Sequence, residues 1–326
     1  MGNTGVSNAK RIDYFDLAKG LCIFLVVFHH YCSYSYVSEP LAFRCFFKAF
    51  RLPLYFFLSG VFFKRYGGLL DFIKRKCNKL LIPFAFWFFL DVLLGKFCKI
   101  SLSSGVIWFL LCLFEVNIFF YVISLVSERF GKHKTKMLII MTMLCGCIGI
   151  ALNFLSIKLP LYIDSAFTAL PFFVFGNIIN RNTEILQPQK WDKLLPLIVL
   201  VMFCIVFLIK PDSYSLRANR FNVKSAIFMY PSGMIGALAV VLLAKWIKRI
   251  PVVVTWGRYS IMILVTHMGL FKLLGFLLGC FNIQITSAST LLVLSLIFAF
   301  ALYFLLIPFM KKFMPHVTAQ KDVIPV

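Results

Sequence analysis

A chain of 326 residues has room for one large domain or two medium ones, but 61% hydrophobic, 17% aromatic and only 14% charged residues lie far outside soluble averages. With 39 Phe and a mean hydropathy of +0.91, the apolar surface is too large for one water-soluble core, which excludes soluble enzymes, nucleic-acid-binding modules and disordered scaffolds. The charge of +22, from 34 Lys+Arg against 12 Asp+Glu, then points to cytoplasmic loops and polyanionic cytosolic ligands instead of nucleic acid.

The N-terminal segment 1–18 loosely fits a myristoylation pattern except for Val6. It precedes an apolar stretch without a small-residue cleavage site, so it reads as a cytoplasmic lead into a retained first helix. Apolar runs long enough to cross about 30 Å of hydrocarbon follow at 20–37, 46–63, 79–98, 106–126, 137–155, 163–180, 194–210, 225–244, 252–275 and 288–310. The expected fold is an all-α polytopic membrane protein of about ten helices, a single domain over 1–326 with a tail at 314–326. The breaks carry Pro, Gly or charge clusters, and RYGGLLDFIKRKCNK after the second run is the most basic. Placing the N-terminus inside puts 22 basic residues in cytoplasmic segments and 10 in outer ones, which predicts that both termini are cytoplasmic. The 10 Cys fall mostly within apolar runs and form no C-x-x-C pair, so neither a zinc site nor a disulfide framework is expected.

Ionisable groups inside bilayer helices are costly and therefore candidates for function. Here they are His29 and His30, Asp91, Glu115, Asp164, and Arg258, His267 and Lys272. Lys19 and His30 are eleven residues apart, three turns plus about 20°, and about 16 Å along a helix axis. Asp16 lies about 40° from His30, so Asp16, Lys19, Ile23, Val26 and His30 form one stripe, with His29 turned about 100° away. A neutral His at the deep end of a charged entrance suits a general base. A core histidine bonded to a neighbouring helix is the alternative, favoured for His29. His267 shares a face with Ser260 and Ile263, while Arg258 lies opposite on a continuous helix, and His267 is open to a ligand-facing or a structural role. Trp108, Leu111 and Glu115 also share a face on which a sugar could stack and bond, although membrane Trp commonly marks the interface.

RIDYFDLAKGLCIFLVVFHH (11–30) resembles the opening of the bacterial transmembrane O-acyltransferase family, acyltransferase family three, with Lys19 and His30 matching its basic-x10-His pattern. RLPLYFFLSGVFF (51–63), KRKCNKLLIPFAFW (74–87), IWFLLCLF (107–114), ALPFFVFGNII (169–179) and WGRYSIMILVTH (256–267) are similar to further family segments, in order along the whole chain. Where members often carry Arg and an Arg-x-x-Arg pair, this chain has Lys19 and Lys76-x-x-Lys79, which keeps charge but not bidentate phosphate geometry. Without the C-terminal hydrolase-like domain that some members append, it resembles the membrane-only form.

The resemblance implies transfer from cytosolic acyl-CoA, usually acetyl-CoA, to a carbohydrate hydroxyl, in the inner membrane, with no tightly bound cofactor, no metal and no nucleic-acid partner. His30 would take the hydroxyl's proton, with Lys19 and Asp16 orienting or neutralising the donor. Arg75, Lys76 and Lys79 would meet its phosphates, although such clusters also serve insertion alone. Ser59, Trp108, Glu115, Ser260 and His267 are the candidates for an acceptor pocket, with close packing the alternative for Ser59-Gly60. A rival reading is a transporter or flippase for a lipid-linked or small anionic solute with intramembrane His proton relays, although no internal repeat of the transporter kind is seen.

Overall fold

The computed structural model describes residues 12–35, 41–98, 105–181, 183–187, 190, 192–209 and 214–326. The chain forms helices α1 (Asp13–Tyr34), α2 (Leu41–Val61), α3 (Leu69–Lys76), α4 (Ile82–Cys98), α5 (Trp108–Glu128), α6 (Lys134–Phe154), α7 (Ile163–Arg181), α8 (Leu195–Ile209), α9 (Val223–Ile247), α10 (Pro251–Arg258), α11 (Ser260–Cys280) and α12 (Ala288–Phe313). Each of the ten apolar runs becomes helix, and the described residues contain no β-strand.

Three boundaries differ from the sequence expectation. First, α1 starts at Asp13, so Asp13–Ala18 belong to the helix and not to an N-terminal lead. Second, the basic 69–79 stretch is helical, because α3 continues through a single π-helical segment, Cys77–Leu81, into α4. Third, the run at 252–275 is broken at Tyr259 (φ −110°, ψ 26°), which separates α10 from α11.

Among the described residues, eight stretches are long and apolar enough to span a bilayer: α1, Leu69–Phe97, α5, Gly131–Phe154, Pro160–Ile179, α9, α11 and α12. Helix α2 falls short because Arg44, Lys48 and Arg51 interrupt its apolar sequence. Helix α8 has 15 residues, about 22 Å of rise against about 30 Å of hydrocarbon. Lipid-facing apolar side chains such as Phe89, Leu93, Leu144, Leu197 and Leu305 are exposed, whereas aromatic groups fill the interior between α1, α2, α5, α7 and α9.

Close helix contacts involve glycines of four of the motif segments. A methyl group on Gly60 would lie 1.8 Å from the Phe173 carbonyl oxygen, and one on Gly176 would lie 2.0 Å from that of Phe57, so α2 and α7 touch backbone to backbone. Gly20 and Gly257 bring α1 and α10 equally close, against Val253 O and Asp16 O. Small residues permit such approach where apolar burial alone gives helices in lipid no reason to associate.

The two loop sets separated by charge lie at opposite ends. At one end, Tyr14 donates to Leu186 O (3.0 Å), and Arg249 pairs with Asp13 (3.3 Å). Lys245 pairs with Asp192 (2.6 Å), Arg65 with Glu128 (2.6 Å) and Lys79 with Asp322 (3.0 Å). At the other end, Tyr214 donates to Ala49 O (2.9 Å), Lys158 to Asn219 O (3.1 Å) and Asn153 to Phe221 O (2.9 Å). Of the basic residues in the charge comparison, Lys10, Arg11, Lys99 and Lys210 lie outside the described residues, as do residues 1–11 of the N-terminal segment.

Candidate active site

A cavity of about 670 Å³ runs between these ends. Its wall includes Lys79, Ala319, Gln320 and Arg258 from the first end, and Lys48, Ser215 and Arg217 from the second. The α1 stripe faces it: Lys19, Ile23, Val26 and His30 all line the wall, as helical periodicity requires. His29 lines it too, contrary to the expectation that a 100° turn would commit that ring to packing. A cavity wide enough to wrap around α1 exposes both.

His30 packs against His267, with ring centroids 5.2 Å apart, and against His29 at 5.6 Å. His267 is fully buried behind this pair and does not line the cavity. Its Nδ1 lies 3.1 Å from Ile263 O, which requires the proton on Nδ1 in the neutral ring. Nε2 is thereby left as an acceptor, and it has no hydrogen-bond partner among the described residues. The Tyr31 hydroxyl donates to the His267 carbonyl (2.7 Å) and ties α1 to α11 at this level.

Asp16 is separated from the rest of the stripe. It is 2% exposed, lies off the cavity wall and accepts from Arg258 Nε at 3.3 Å, while Arg258 also pairs with Asp13 at 2.6 Å. The break at Tyr259 lets Arg258 and Ser260 both reach the cavity, although a continuous helix would set them apart, whereas Arg258 and His267 remain separated, since His267 lies off the wall. Tyr55 lines the middle of the cavity, where its hydroxyl bonds Lys19 O (3.3 Å) and the Ser260 side chain.

At the first end, a smaller cavity of about 270 Å³ adjoins the large one and shares Lys19, Ser59 and Lys79 with it. Arg75 and Lys76 line only the smaller one. The π-helical segment that starts after Lys76 carries Lys79 and adds a residue to its turn, which lets four cations from α1, α3 and this segment converge. Arg75 is held by Asp71 (2.9 Å) and lies over the Tyr66 ring (4.7 Å), and Lys19 lies over Phe62 (5.2 Å).

The tail closes part of this mouth. Asn78 accepts from Val323 N and Ile324 N, both at 2.9 Å, and donates to Ile324 O at 2.8 Å. Trp87 donates to Val317 O (3.0 Å), and Lys79 donates to Ala319 O (3.1 Å).

Of the acceptor candidates, Ser59, Trp108 and Ser260 line the large cavity. Glu115 does not: it interacts with Cys112 and Asp164, so the shared face with Trp108 does not bring the two into one pocket. Sequence reasoning missed Lys48, Arg51, Tyr55, Arg217 and the docked tail as parts of the site. Arg51 counts by sequence among the 10 outer basic residues, yet it is 6% exposed within α2 and donates to Leu25 O (3.2 Å). The signal was present, because positions 44, 48 and 51 follow helical four-and-three spacing.

No metal-binding cluster occurs among the described residues. The wall carries six Lys or Arg side chains and no carboxylate among the described lining residues, together with two neutralisable imidazoles and several hydroxyls. Such a site can hold a polyanion at one end and abstract a proton further in.

A sequence model of the acyltransferase domain matches residues 12–307, which contain every cavity-lining residue named above except those of the tail. No curated protein and no solved structure matches the chain.

Proposed function

The chain belongs to acyltransferase family 3 and is a membrane acyltransferase. From that premise we propose that it moves an acyl group, acetyl in the simplest case, from cytosolic acyl-CoA to a hydroxyl of a surface or exported glycan, in the cell's inner membrane. The observation that carries this reading is the cavity joining the Lys19, Lys79 and Arg75–Lys76 mouth to the Trp108 and Arg217 end, with His30 on its wall between them. The charge bias of the sequence supports reading the Lys79 end as the cytoplasmic one.

In this mechanism the nucleotide phosphates rest among Lys19, Arg75, Lys76 and Lys79, where a polyanion offsets cations that the protein brings together. The thioester arm extends past Ser59 and Tyr55. An acceptor entering from the other end stacks on Trp108 and presents a hydroxyl to His30. His30 accepts the hydroxyl proton as the oxygen attacks the thioester carbonyl, the new C–O bond forms, the C–S bond breaks, and the imidazolium returns the proton to the leaving thiolate. His267 holds the His30 ring from behind, and Asp16 acts through Arg258, by fixing the α1–α10 joint, without touching substrate. Mass spectrometry of surface glycans from cells with and without the protein tests the reading: loss of one acyl increment is expected, and an unchanged glycan refutes it.

A further inference from the structure

The second end of the cavity contains a feature that the donor does not use. Arg217 sits in a tight turn whose flanking residues Ser215 and Arg220 exchange backbone hydrogen bonds of 2.8 and 2.9 Å. Buried polar contacts fix this turn to two helices. Asn219, fully buried and at φ +42°, accepts from Thr168 Oγ1 (2.8 Å) on α7 and donates to Gly149 O (2.9 Å) on α6. Ser165 Oγ donates to Arg217 O at 3.4 Å, and Lys158 donates to Asn219 O at 3.1 Å.

The Arg217 side chain then lies over Gly105, where a methyl group would come within 2.5 Å of Nη2. Gly105 has φ +76°, a conformation that disfavours any other residue, so its backbone leaves a cradle for the guanidinium at the cavity wall. Lys48 and Arg51 of α2 line the same end, and His30 lines the same cavity as Arg51 and Arg217.

A neutral sugar makes little use of an exposed guanidinium set by a fixed turn on a wall with no carboxylate among its described residues. An anion does, because the planar guanidinium forms charge-assisted, bidentate bonds with a carboxylate or phosphate. We infer that the acceptor is an acidic saccharide, and that Arg217 is the residue that selects it by binding a carboxylate or phosphate group close to the hydroxyl presented to His30. This rests on the acceptor entering from the end opposite the donor, as the proposed transfer requires.

The test is direct binding to the purified full chain in detergent, which does not depend on turnover. The probes are a tetrasaccharide of uronic acid, glucose 1-phosphate, and a neutral tetrasaccharide of N-acetylglucosamine. At least one acidic probe should bind more tightly than the neutral one by roughly ten- to a hundredfold, the range of a charged hydrogen-bond pair. Which acidic probe wins separates a sugar carboxylate from a phosphate. Arg217→Gln should remove that preference while leaving neutral-sugar and acyl-CoA binding unchanged, and Arg217→Lys should restore it in part. Equal binding of acidic and neutral probes, no binding of acidic probes at millimolar concentration, or a preference untouched by Arg217→Gln would overturn the assignment. Acidic-probe selectivity without any acyl transfer would leave the Arg217 site standing and reject the transferase reading instead.

Discussion

Gly176→Ala is a perturbation whose effect can be worked from the helix packing. The added methyl would lie 2.0 Å from Phe57 O, and that obstacle is backbone, which cannot rotate away. Ordinary contact begins near 3.4 Å, so α7 and α2 must separate locally by about 1.4 Å. Helix α2 carries Lys48, Arg51, Tyr55 and Ser59 on the cavity wall beside α1, so its displacement shifts them relative to His30. Overpacking of this kind costs about 1–3 kcal/mol of stability, and a misplacement of about 1 Å in a site that works by positioning lowers turnover by about 10²-fold. The assay is glycan ester content per unit of membrane-inserted protein, with Gly275→Ala as control, because a methyl there meets nothing within 4 Å. Ester content equal to the control at equal protein level would refute the claim that the α2–α7 contact sets the geometry of the site.

Lys76→Gln combined with Lys79→Gln should raise the acyl-CoA KM by about ten- to a hundredfold with a smaller fall in kcat, since phosphates lie far from the reacting carbonyl. Unchanged donor dependence at normal protein level would make the cluster topogenic only. Asp16→Asn should lower the thermal stability of the detergent-solubilised protein more than it alters either KM, because it weakens a buried partner of Arg258, whereas a pure KM effect would place Asp16 on substrate. Glu115→Gln should retain most acylation, because Glu115 lies off the cavity, and a dead variant would refute that. A reporter fused after Val326 should be active only in its cytoplasmic form, and periplasmic activity would contradict the orientation.

The helices were legible because a bilayer demands long apolar runs, and the Lys19–Ile23–Val26–His30 stripe was legible because periodicity fixes a face whatever the tertiary context. What escaped depends on partners. KRKCNK reads as a loop by charge, yet its backbone stays helical while Lys74 and Lys79 remain exposed and Arg75, Lys76 and Lys79 line a cavity mouth. Gly257-Arg258-Tyr259 contains no proline to announce the break at Tyr259. The tail, polar and twice interrupted by Pro, looks free until the buried Asn78 supplies three hydrogen bonds to it. Arg217 is one of three basic residues between α8 and α9, and the turn held by Asn219 distinguishes it.

The claim that His30 is the base of an acyl transfer is tested most directly by glycan mass spectrometry on cells carrying His30→Ala, with protein level measured in the same membranes. Loss of a general base costs about 10²–10⁴-fold. The account predicts that the acyl increment disappears while the protein still accumulates, and that His29→Ala keeps substantial ester. Full acylation by His30→Ala, or a dead His29→Ala beside an active His30→Ala, would contradict it.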